Sequence, residues 1–187
     1  MNKRATAIAA AALMLSSAAF AQGYAGAAGG AAKLDFDCSG TTTCDTTSAG
    51  WKLFGGYKFS PNWGVEVNYL DFGKATATLD TGTGILSGDV KGTALGAGVA
   101  FFAPFAPQWY GVARLGVAST KAKITGSFGG FSGSDSETST NAYYGLGLGY
   151  AMSKNLSIEG AIDFSRFKYA GESVDARLAS IGLSFSF

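Results

Sequence analysis

The chain has 187 residues, a formal charge of +1, 47% hydrophobic residues and 14% charged ones, where ordinary globular chains carry roughly 25% charged residues. That near-neutral balance gives no footing for a nucleic-acid partner, and the absence of histidine excludes a Ser-His triad and other His-dependent hydrolysis. No stretch beyond the first residues supplies the roughly 18 uninterrupted apolar residues of a membrane helix, so the apolar content must be distributed in another pattern.

Asn2-Lys3-Arg4, the apolar run Ala5–Leu15 and the A-x-A site Ala19-Phe20-Ala21 predict a cleaved signal peptide over residues 1–21, leaving 22–187 as the mature domain. With Lys3 and Arg4 removed, the formal charge of +1 becomes −1.

The mature chain then alternates. A first strand over Tyr24–Phe36, rich in Gly and Ala, is required to close the sheet and make the strand number even. From Trp51 the odd positions read Trp51, Leu53, Gly55, Tyr57, Phe59 against Lys52, Phe54, Gly56, Lys58, a period of two with unlike faces. Ser60-Pro61-Asn62 turns the chain into Trp63, Val65, Val67, Tyr69 against Gly64, Glu66, Asn68. Leu70 and Phe72 then take the opposite parity, which predicts a bulge. Alternation resumes with Leu95–Phe101, Trp109–Val117, Asn141–Tyr150 and Leu156–Phe164, and is clearest in Ala179, Ile181, Leu183, Phe185, Phe187 against Ser180, Gly182, Ser184, Ser186. The prolines Pro61, Pro104 and Pro107 fall at short turns, while Asp37–Ser48, Ala75–Asp89 and Gly126–Thr138 read as longer polar loops, the layout of short periplasmic turns and outer loops.

The same alternation would describe a soluble ligand-binding barrel with its apolar face inward. Three features favour the membrane. The second face is Gly, Ala and Ser, which suits a narrow lumen. Phe59, Trp63, Phe101, Trp109, Tyr150 and Phe187 gather beside the short turns as an interfacial girdle. Lys52, Glu66, Arg114, Glu159 and Asp163 all share the small-residue face, and a Lys or Arg turned to lipid at mid-depth would cost roughly 2–4 kcal/mol. The fold predicted is all-β, an eight-stranded antiparallel up-and-down transmembrane β-barrel.

Leu53–Gly73 (LFGGYKFSPNWGVEVNYLDFG) and the terminal Ile181–Phe187 (IGLSFSF) resemble the OmpA-type transmembrane domain and related small outer-membrane barrels. The resemblance covers essentially the whole mature chain. It implies a Gram-negative outer-membrane location, outer-membrane lipids as surroundings, and passage through periplasmic chaperones and the barrel-assembly machinery, with Phe185 and Phe187 in the assembly signal. Full-length members of that family continue into a peptidoglycan-binding domain that has no counterpart after Phe187, so cell-wall tethering is not carried over.

The residues that could carry chemistry are few. Gly145-Leu-Gly-Leu-Gly149 lies inside an alternating strand and opens no helix, so its glycines read as lumen packing rather than a phosphate loop. Cys38 and Cys44, the only cysteines, are expected to form a disulfide in an oxidising compartment. Two thiols with Asp37 or Asp45 make a poor metal set, and no metal or other cofactor is expected. The five inward charges can either neutralise one another inside a filled barrel or line an ion path; the former is the expectation. The function expected is structural support of the envelope with display of surface loops, not enzymatic activity. The alternatives are adhesion or ligand capture by loops, suggested by Trp51, Phe128 and Phe131, and a narrow channel.

Overall fold

The computed structural model describes residues 22–35, 42–80, 85–128, 131–169 and 172–187. The strands among these are β1 (Gly23–Asp35), β2 (Thr43–Asp45), β3 (Thr47–Lys58), β4 (Trp63–Asp80), β5 (Ile85–Pro104), β6 (Trp109–Phe128), β7 (Phe131–Ala151), β8 (Leu156–Tyr169) and β9 (Glu172–Ser186). β2 and β3 are separated only by Thr46 and both pair with β4, so together they form one wall of the barrel. From β3 to β9 each strand pairs antiparallel with the next, β1 pairs with both β3 and β9, and the ring is closed with eight walls and no free edge along the membrane span.

The pleat explains which residues line the lumen. Along β3 Gly50, Lys52 and Phe54 are buried while Trp51 and Leu53 are exposed, and along β9 Leu178, Ser180 and Ser184 are buried while Ile181, Leu183 and Phe185 are exposed. Exposure of these large apolar groups is what a lipid-facing wall requires. The Gly- and Ala-rich first strand is present over Gly23–Asp35, registered on β9 from Tyr24↔Ser186 to Asp35↔Asp175; Phe36 lies outside the described residues.

The bulge predicted after Tyr69 lies between Asp71 and Lys74, where the β4–β5 register shifts. Gly73 holds a φ of +69° there, a left-handed conformation that glycine adopts without penalty. Before the bulge even residues of β4 face inward; beyond it Ala75 does. Leu70 and Phe72 therefore occupy inward positions, and both are fully buried.

The stretches expected to be long outer loops are largely paired strand. β4 and β5 remain in register to Asp80↔Ile85, and β6 and β7 to Phe128↔Phe131. Polarity misled the reading there: outside the bilayer both faces of a hairpin meet water, so Thr, Ser, Gly and Asp replace the apolar alternation while the backbone goes on pairing.

Candidate functional site: the filled lumen

The short turns put one aromatic girdle at their end of the barrel. Trp63 lies opposite Phe101 and Trp109 opposite Tyr150, with ring centroids 4.7 and 5.0 Å apart. Farther along the wall, Trp51 packs on Tyr69 at 5.3 Å and Tyr144 stacks on Phe164 at 5.0 Å, a second set of interfacial aromatics. Trp51 thus belongs to the lipid-facing wall, within β3 and opposite Asp71. The backbones of Phe128 and Phe131 face each other at the end of the β6–β7 hairpin.

Inside, three levels follow one another. Next to the short turns Tyr24, Phe54, Ala100, Phe102 and Val112 form an apolar cluster against which Tyr110 packs; the Lys58 ammonium lies 4.2 Å from the Phe102 ring centroid. Toward the outer side a larger apolar cluster includes Leu34, Leu70, Phe72, Tyr143, Phe167 and Leu178, with Phe72 edge-on to Phe167 at 5.5 Å. The five inward charges occupy the level between.

The structure brings these five together on four strands. Lys52 Nζ lies 2.6 Å from Asp163 Oδ2, and the Tyr143 hydroxyl donates to Asp163 Oδ1 at 2.6 Å. Arg114 Nε donates to Glu66 Oε1 at 2.8 Å, Arg114 Nη2 lies 2.8 Å from Glu159 Oε1, and the Tyr24 hydroxyl donates to Glu66 Oε2 at 3.0 Å. The Nη2 contact is an ion pair without hydrogen-bond alignment. Phe54 joins the two groups, since Lys52 Nζ and Arg114 Cζ each lie 5.3 Å from its ring centroid. All five side chains are at most 5% exposed, so each charge stands on its partners rather than on solvent.

Cross-strand register makes room for them. Glu66 lies between Gly56 and Gly98, Glu159 between Gly149 and Gly182, and Arg114 between Ala100 and Gly145. A Cβ added at Gly145 would meet the Asp163 carboxylate. Gly145 thus admits the Asp163 carboxylate, and Gly149, where an added Cβ would meet the Tyr110 ring, admits that ring. Phe54 has the inward parity that alternation assigns it beside Lys52, whereas Tyr24 and, in the outer cluster, Leu34, Phe167 and Leu178 join the interior from positions to which alternation assigns no face.

Among the described residues no group of three His, Cys, Asp or Glu is placed to hold a metal ion. Cys44 lies on β2 opposite Ala77 of β4, and Cys38 lies outside the described residues. Phe185 lies on the lipid-facing wall, and the Phe187 N–H donates to the Gly23 carbonyl at 3.0 Å, where the last strand meets the first.

Solved structures share this architecture. Ail of Yersinia pestis, crystallised with the heparin analogue sucrose octasulfate, is 23% identical, with 89% of this chain and 99% of that one covered and a TM-score of 0.57. Neisserial surface protein A (NspA) is 14% identical over 88% of this chain and 97% of its own, with a TM-score of 0.61. OprG of Pseudomonas aeruginosa is 17% identical over 89% and 96%, with a TM-score of 0.54. At these identities the likeness is one of fold. Among curated proteins no sequence matches the chain significantly. Residues 7–187 match the family described as the outer membrane protein beta-barrel domain, so the chain belongs to that family and its place is the outer membrane.

Proposed function

We propose that this protein is a structural, non-conducting and non-enzymatic outer-membrane barrel that supports the envelope and displays its extracellular hairpins. The observation that carries this reading is the layered lumen, in which a charge level of Lys52, Glu66, Arg114, Glu159 and Asp163 lies between two apolar clusters. An ion on that path would have to leave water twice at apolar layers and displace ion pairs between them. Export by a signal peptide over 1–21 and an oxidised Cys38–Cys44 loop belong to the same reading; a mature N-terminus at Gln22, read by mass spectrometry, tests the first. Planar-bilayer recording of the purified protein tests the function: currents at the noise level are expected, and large stable single-channel steps would replace the structural reading with a pore.

A second reading, adhesion or ligand capture by the outer hairpins, draws on strand length. β4, β5, β6 and β7 contain 18, 20, 20 and 21 residues, where roughly 9–11 suffice to cross the bilayer. Their outer halves form a polar sheet projecting from the cell. Shortening the β6–β7 hairpin should abolish adhesion by expressing bacteria if this reading holds, and leave bilayer behaviour unchanged.

A further inference from the structure

Above the membrane span the barrel wall forks. Among the described residues β7 and β8 are paired from Ala151↔Ser157 up to Tyr143↔Ser165 and no farther. Beyond that point β7 continues on β6 as far as Phe131, and β8 continues on β9 as far as Tyr169. The fork opens directly above the stacked rings of Tyr144 and Phe164. A cavity of about 420 Å³ lies at its base, within the roughly 300–1,000 Å³ of small-molecule sites. Asn141 and Tyr144 line it from β7, Ser165, Arg166 and Lys168 from β8, and Asp175 from β9. Asn141 and Ser165 have inward parity and the other four point outward, so the cavity runs between the strands from an exposed mouth to a buried end at Ser165. Tyr143 and Phe167 belong to the outer apolar cluster, which stands between this cavity and the charge level of the lumen.

The polar groups of the cavity select a kind of ligand. Ser165 is only 4% exposed and its hydroxyl has no hydrogen-bond partner among the described residues, a costly arrangement unless a bound group completes it. Asn141 Nδ2 donates to the hydroxyls of Thr120 and Ser139 at 3.0 and 2.7 Å. Both amide hydrogens are thereby used, and what Asn141 offers a ligand is its carbonyl oxygen, an acceptor. Arg166 meets Asp175 at two points, 2.7 and 3.3 Å, so the guanidinium's charge is matched while further N–H groups and carboxylate lone pairs stay available. Lys168 adds an exposed ammonium with no ion pair among the described residues. A ligand must therefore donate and accept at several points. Sulfate has no proton for Asn141 and meets a carboxylate in Asp175; an ammonium meets Arg166 and Lys168. Hydroxyl groups satisfy all of them, since each both donates and accepts.

We propose that the fork between β7 and β8 binds a neutral saccharide of one or two pyranose rings, held by hydrogen bonds to Ser165, Asn141 and Asp175. The Tyr144 ring, laid nearly parallel to Phe164 at 14° and 5.0 Å, supplies a flat apolar surface for the C–H face of a sugar, the combination of an aromatic wall with a few placed polar groups that small-molecule sites use. This goes beyond the structural reading and requires neither an open lumen nor adhesion by the hairpin tips.

Saturation-transfer NMR on the full-length protein in a sugar-free detergent, with glucose, galactose, mannose, N-acetylglucosamine and lactose as probes, tests the proposal. At least one should bind with a Kd on the order of 1 mM. Ser165→Ala removes a hydroxyl that has no internal partner, so its urea unfolding should match wild type while the saccharide binds about 2- to 10-fold more weakly, the worth of one hydrogen bond. Asn141→Ala should weaken binding by a similar factor, and Lys154→Gln, in a distant turn, should match wild type. Heat-modifiable migration shows that each variant is folded; should Asn141→Ala fail to fold because Thr120 and Ser139 lose their donor, Ser165→Ala alone decides. No probe binding below about 10 mM, or a loss under about twofold in Ser165→Ala, overturns the proposal. Displacement of the bound saccharide by sulfate also overturns it, in favour of a site for anions.

Discussion

Arg114 and Glu66 meet at 2.8 Å although β6 and β4 are not neighbours in the sheet. The contact reaches across the strand between them, past Ala100 and Gly98, and a second carboxylate, Glu159, approaches the same guanidinium from the other side. The lumen at this level is thus spanned by side chains rather than lined by them. Arg114→Ala would leave two buried carboxylates without their cation, a loss of about 3–5 kcal/mol. Urea unfolding from detergent or lipid should show it, with Arg114→Lys intermediate because one ammonium cannot reproduce the guanidinium's separate contacts. Conductance should stay near zero in the variant, because the apolar clusters around Phe72 and Phe102 remain on either side; stability equal to wild type would remove Arg114 from its structural role.

Much of this was legible from alternation. The faces of β3 and β9 follow from a period of two, and Lys52, Glu66, Arg114, Glu159 and Asp163 fell on the inner face because lipid rejects charge. What did not emerge was the apolar interior. Leu70 and Phe72 read as breaks in the pattern, and Leu34, Phe167 and Leu178 belong to no alternating run with assigned faces, since an outward apolar stripe was the signal being followed, yet every one points inward in the structure. Partners within the charge level were illegible for a different reason: Lys52 and Asp163 are separated by 111 residues, and only barrel closure sets them at the same height.

The bulge makes a sharper test of backbone geometry. Gly73 has a φ of +69°, its N–H is held by Asp71 Oδ1 at 2.8 Å, and a Cβ there would strike the Ser48 side chain and the Ala49 carbonyl. Gly73→Ala should therefore cost at least about 1–2 kcal/mol from the left-handed conformation alone, before the clash with β3 is counted. Equilibrium unfolding checks this, and a neutral effect would mean that the bulge relocates.

The cysteine prediction concerns the edge of the outer sheet. β2 pairs with β4 only from Thr43↔Thr78 to Asp45↔Thr76, with Cys44 in the middle. A Cys38–Cys44 bond closing so short a loop contributes roughly 2 kcal/mol by chain entropy, enough to matter to a three-residue strand and little to the barrel. Thiol labelling of the exported protein without reductant should be negligible. Cys44→Ser should speed proteolysis around Thr42–Thr46 while leaving heat-modifiable migration intact; quantitative labelling of the native protein would show the thiols to be free.

At the chain's end, Phe187 offers a way to separate folding from assembly. Its N–H bonds the Gly23 carbonyl at 3.0 Å and its ring covers Gly23, while 53% of the residue remains exposed on the wall. One such hydrogen bond is worth about 0.5–1.5 kcal/mol, and β1 and β9 retain pairs from Tyr24↔Ser186 to Asp35↔Asp175 without it. Deleting Phe187 should therefore hardly change the yield of barrel refolded into detergent, scored as the fast-migrating unheated band. If the terminal aromatic is read by the assembly machinery, the yield of folded protein in cells should fall several-fold against that unchanged refolding. Equal losses in both settings would make Phe187 a closing residue only, and equal yields in both would remove it from assembly and stability alike.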